Sequence, residues 1–146
     1  MKGRTFLIGF VAVLAVFTGV LWWTQTRAFY TEVTGLTSVT VASSDVAVTG
    51  YRGIDATSSP IKLRACFGID PADLSKATQA ENPTPLIAPS WFDCFDAGAL
   101  TRALEAGEAT AYLAAKEEHD GVDRLIAVYS DGRAFMWRQL NEKYAE

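Results

Sequence analysis

The side chains of widest chemical range in this 146-residue chain are Cys66, Cys94, the single histidine His119, and Met136. Together they supply the soft ligand types that bind copper. Their spacing argues against a copper site: no short ligand motif links them, Met136 alternates with Phe135 and Trp137 as core filler does, and His119 precedes an Asp-Gly pair that reads as a solvated turn. Thiol exchange calls for an exposed thiolate, normally in a Cys-x-x-Cys motif, and the two cysteines stand far apart. Ser58, Ser59 and Ser90 lack the Gly-x-Ser-x-Gly elbow of a hydrolase. Asp55, Asp93, Asp96 and Asp123 could pair as general acid and base. Turn and cap duties account for most of them, and Asp123 and Arg124 are expected as exposed or partly paired charges beside a hairpin. The expectation is therefore no catalytic residue, no metal site and no cofactor.

Two constellations remain. An even pair of cysteines beyond an apolar leader suits a disulfide in an oxidising compartment, and closing a loop of about 29 residues would stabilise the fold by roughly 3–4 kcal/mol on a chain-entropy view. Ile61, Leu63, Ala65 and Phe67 alternate with Lys62, Arg64 and Cys66, so the partner of Cys66 must cross the more polar face of that strand or meet it at its end. The second constellation is Trp91, Phe92 and Phe95 around Cys94, preceded by a segment, 79–90, that holds Pro83, Pro85 and Pro89. Clustered aromatic rings make interface hot spots, and they also plug cores.

The elements that must position these residues begin with Thr5–Trp23, an uncharged run without proline. About 20 such residues cross the roughly 30 Å hydrocarbon core as a helix, whereas the apolar core of a cleavable signal is about 7 to 15. Thr26-Arg27-Ala28 is a poor cleavage site, so the run reads as a retained anchor. Lys2 and Arg4 at one end and Trp22, Trp23, Phe29 and Tyr30 at the other set its orientation, with residues 1–4 cytoplasmic and the aromatic belt at the far interface. Beyond a stalk at 24–35, residues 36–146 make one domain. Everything beyond the anchor, stalk included, holds 11 of the 13 basic residues and all 17 acidic ones, a net charge of −6 that disfavours nucleic acid as a partner.

Within that domain, Leu36–Ala42 and Val46–Ile54 read as strands, the second weakened or bulged at Gly50 and Gly53. Asp70-Pro71 starts a short helix to about Thr78, and Asp96 caps another that ends at Gly107. Residues 108–118, 122–129 and 133–140 read as a three-stranded meander joined by Asp-Gly turns of type I′, although the alanine-rich first run suits a helix equally. The fold class is α+β: an anchor helix, then an antiparallel sheet with two short helices on one side.

Three motifs, Gly53-Ile54-Asp55-Ala56 with Ser58-Ser59-Pro60-Ile61 and Arg64-Ala65-Cys66-Phe67, Trp91-Phe92-Asp93-Cys94-Phe95-Asp96, and Gly121-Val122-Asp123-Arg124, resemble a family of small bacterial inner-membrane proteins of unknown function, some labelled histidine kinase. The resemblance implies a shared anchor and cysteine pair with the domain in the periplasm, and brings no catalytic residues. A kinase needs a nucleotide-binding domain and cytoplasmic ATP, whereas His119 lies in a hairpin beyond the expected membrane. The leading expectation is a noncatalytic accessory, stabilising or assembly protein docked on a larger inner-membrane complex through Trp91, Phe92 and Phe95. A small-ligand sensor whose proline-rich loop closes beside Trp91 and Phe95 is the alternative, and thiol or copper handling the third.

Overall fold

A computed structural model describes residues 2–144, as two units divided between Tyr30 and Thr31. The first is helix α1, Gly3–Trp23, prolonged by a wider π turn over Thr24–Ala28. No residue of α1 is buried. Together they make a 26-residue apolar helix long enough to cross a bilayer.

The second unit carries strands β1 (Thr31–Thr34), β2 (Ser38–Val41), β3 (Ser44–Asp55), β4 (Arg64–Ile69), β5 (Ala109–His119), β6 (Val122–Tyr129) and β7 (Arg133–Leu140), with helix α2 (Ala97–Ala106) before β5. All pairings are antiparallel, in the order β1-β3-β4-β7-β6-β5, and β2 also pairs with β3. The sheet curls until its ends meet: Ala42 N–H donates to Ala114 C=O at 2.8 Å, and Arg124 Nη2 donates to Thr40 C=O at 2.8 Å. Residues 78–80 cover another stretch of the β5 edge, where Leu113 N–H donates to Thr78 C=O and Ala80 N–H to Ala111 C=O. Edges so covered are poor templates for another chain.

Alternation sorts the side chains onto two faces. Inside the curl lie Val46, Val48 and Tyr51 of β3, Ala65 and Phe67 of β4, Ile126 of β6 and Met136 of β7. Gly50 is what lets Tyr51 join them. Its φ of +60° accompanies a register shift between Thr49 and Arg52, which moves the inward phase from even to odd positions. The outer face, with Leu125, Ala127 and fully buried Trp137, lies under α2 and the proline-rich segment. Asp96 caps α2 as its spacing predicts, Oδ1 accepting from Ala99 N–H, and Gly107 ends it at φ +77°.

The α+β class and the meander agree with the sequence reading, and the alanine-rich run 109–119 is a strand. Four local expectations are corrected. Residues 31–34, expected in the stalk, are β1, because they find the second half of β3 as a partner, Thr31 opposite Asp55. The first short helix is only a 3₁₀ turn, Pro71–Leu74, although Asp70 caps it. It stops there because Leu74 is fully buried and Thr78 is drawn to the β5 edge. Ile61 and Lys62 likewise lie in a 3₁₀ turn ahead of β4. Finally, neither Asp-Gly pair takes the type I′ form, since only Gly121 and Gly132 adopt positive φ. Two positive-φ residues in succession occur instead at Ala42 and Ser43, in the β2–β3 hairpin.

Candidate functional site

The outward face of β4 carries Arg64 and Cys66, and these two side chains fix the proline-rich segment. Cys66 is bonded to Cys94, with their Cα atoms 6.3 Å apart, so the partner does cross the polar face of the strand. Arg64, only 5 % exposed, donates to the carbonyls of Leu86 (2.9 Å) and Ile87 (3.2 Å) across the segment and to those of Ile61 and Leu63 beside it. A guanidinium has five N–H donors in a planar fork, which allows it to serve several carbonyls at once. Gln139 adds a third fixing point: Oε1 accepts from Thr84 N–H and Trp137 Nε1, and Nε2 donates to Asn82 C=O.

The aromatic trio divides. Phe95 is buried and meets Phe135 and Trp137 edge to face at 6.1 and 6.4 Å, with the Arg64 guanidinium 5.9 Å from its centroid. Phe92 is buried beneath the Arg52 guanidinium, which also meets Asp93 at 3.4 Å. Trp91 is half-buried, edge-on to Phe92. Phe92 and Phe95 thus plug the outer face of the sheet. What the segment turns outward is Ile87, 85 % exposed, the most exposed of the large apolar side chains among the described residues. No residue from Asn82 to Phe92 is charged. A shallow groove of about 390 Å³ runs from Ile87 and Pro89 past Phe92 and Phe95 to the start of α2.

The remaining candidates are dispersed. Asp96 caps α2, Asp93 pairs with Arg52, Asp55 with Arg138, and the Ser58 hydroxyl accepts from Lys62. Cys66 faces outward with its cross-strand neighbour Phe135, while Met136 faces inward with Ala65, and His119 ends β5. Among the described residues no group of three or more His, Cys, Asp or Glu is placed to hold a metal. Trp22, Trp23 and Phe29 are about half exposed on the apolar unit, and Tyr30 is partly buried.

Asp123 and Arg124 correct the sequence reading outright, at 8 % and 7 % exposure. They are buried because β6 is central, and each is satisfied. Asp123 Oδ1 accepts from Glu117 N–H and Asn141 Nδ2. Arg124 begins a charged chain across the mouth of the curled sheet: its Nε donates to Glu118, Arg138 Nε donates to the same carboxylate at 2.8 Å, and Arg138 Nη1 reaches Asp55 at 3.1 Å. Burial pushes the Glu118 carboxyl up, but the Arg138 hydrogen bond and the charges of Arg124 and Arg138 outweigh it and hold the group below the usual carboxylate value. The Tyr51 phenol beside them is pushed up, first by burial and then by Asp55. Sequence reasoning missed this cluster. The one available signal was that Arg124 and Arg138 interrupt otherwise apolar strands, in phase with the inward residues Ile126 and Met136.

No curated protein and no solved structure matches this chain. One family does match, over residues 33–146, from the first strand through the charged mouth to the end of the sequence, and by that extent the chain belongs to a family of unknown function (DUF6446).

Proposed function

We propose that this protein is a noncatalytic accessory or assembly factor of a bacterial inner membrane. Its apolar helix is retained in the bilayer with the N-terminus cytoplasmic, Trp22, Trp23, Phe29 and Tyr30 lie at the outer interface, and the disulfide-bonded domain docks in the periplasm on a larger membrane complex. The observation that carries this reading is Ile87. Exposed large apolar side chains are common singly, but this one sits on an uncharged segment held by a disulfide, a buried arginine and a glutamine. A pre-organised loop loses little freedom on binding, which is what a small docking surface needs. Trp91 supplies the adjoining aromatic surface, and Phe92 and Phe95 support it from below.

Mild detergent extraction and native gels of the intact membrane test the proposal. The wild-type chain is expected to migrate with a larger assembly, and Ile87→Asp to release it as a free monomer of unchanged thermal stability. Migration of the wild type solely as a small free species would defeat the reading.

A further inference from the structure

A cleft of about 320 Å³ opens at the mouth of the curled sheet, at the lower end of the volumes that hold small ligands. Its walls are mixed, with Leu36, Val39, Leu63 and Met136 beside the charged side chains of Asp55, Glu118 and Arg124. Tyr51 and Arg138 also line it. Tyr51 is 5 % exposed, stacked on Phe67 at 5.7 Å, and its hydroxyl makes no hydrogen bond among the described residues. Arg138 commits Nε to Glu118 and Nη1 to Asp55 and the Pro60 carbonyl, while Nη2 makes no hydrogen bond among the described residues. No fully buried side-chain nitrogen or oxygen among the described residues lacks a partner, so these two donors open onto the cleft, and a phenol beside a guanidinium offers an incoming carboxylate two hydrogen bonds.

We propose that this cleft binds a short-chain carboxylate, whose oxygens accept from the Tyr51 hydroxyl and Arg138 Nη2 and whose hydrocarbon body lies against Leu36, Val39 and Met136. Asp55 and Glu118 balance Arg138 and Arg124, so a single added negative charge meets donors in a neutral setting. A dianionic phosphate would bring a second charge against those carboxylates. The phenol stays protonated at neutral pH because its pKa is raised, so it enters as a donor. Gly53 preserves the shape of the floor, since a Cβ there would come within 2.8 Å of the Tyr51 ring.

The chain has only two methionines, Met1 and Met136, so a ¹³C-methyl methionine label reports on the cleft directly. The full chain in lipid nanodiscs is titrated with hexanoate and, separately, with hexanamide. Hexanoate is expected to move the Met136 methyl signal saturably and to bind about tenfold more tightly than the amide, as charge-assisted hydrogen bonds predict. Tyr51→Phe, which keeps the ring, should weaken hexanoate by about three- to tenfold. Leu36→Trp fills the mouth from a residue that is 42 % exposed and should abolish the shift without unfolding the domain. Absence of a saturable shift, equal binding of hexanamide, or an unchanged affinity in Tyr51→Phe would each overturn the proposal.

Discussion

Arg64→Met is the substitution that most directly probes how the proline-rich segment is held. The guanidinium serves four carbonyls, those of Ile61, Leu63, Leu86 and Ile87. One of these bonds, to Leu63, is buried, and the other three are partly buried. Hydrogen bonds to a charged group contribute about 1.5–3 kcal/mol each, yet water can re-solvate the partly buried carbonyls, and the variant no longer desolvates a charge. The net loss should be about 1–3 kcal/mol, the cost of leaving the buried Leu63 carbonyl without a donor. For a domain of this size that lowers Tm by roughly 4–12 °C. Thermal unfolding of the full chain gives the global value, and hydrogen exchange read by mass spectrometry gives the local one. Faster exchange should concentrate in residues 79–96 while the β6 amides fall only by the global change. A loss under about 1 kcal/mol, with unchanged protection of 79–96, would refute the assignment of Arg64 as the clamp.

Three further outcomes are expected. Cys66→Ser with Cys94→Ser should cost about 3–4 kcal/mol in urea unfolding and open the 79–96 segment to protease, the closed loop spanning a sequence separation of 28. Glu118 should contribute stability that is complete above its unfolded-state pKa of about 4.3 and is lost as pH falls through its depressed folded value, and Glu118→Gln should flatten that acid limb in a pH series of unfolding midpoints. Replacing Ala42-Ser43 with Asn-Gly should raise stability by about 1 kcal/mol, since both positions have positive φ and neither native residue favours it.

What could be read from the sequence was local. Asp96 and Gly107 announced α2 because capping involves backbone groups within a turn, and the alternation around Cys66 placed it on the outward face because strand period is short. Residues 31–34 left no such trace. A four-residue polar strand exists only because β3 is long enough to pair with both β1 and β2. Arg64 reads as a surface charge in sequence, and its real partners include carbonyls 22 and 23 residues onward that no periodicity marks. The same holds for Arg124, whose burial depends on Thr40, 84 residues away. Trp91, Phe92 and Phe95 looked equivalent until the disulfide and the sheet sorted them into two buried rings and one half-buried one.

The seam between Ala42 and Ala114 has a consequence for biosynthesis. The hairpin carrying Val39, Val41, Val46 and Val48 leaves the ribosome well before the strand that closes over it. At roughly 5–20 residues per second the wait is several seconds. During it those valines lack the β5 segment that closes over them in the finished fold. A nascent chain that stays pliant until its last third arrives keeps that valine face open to other chains until β5 is made.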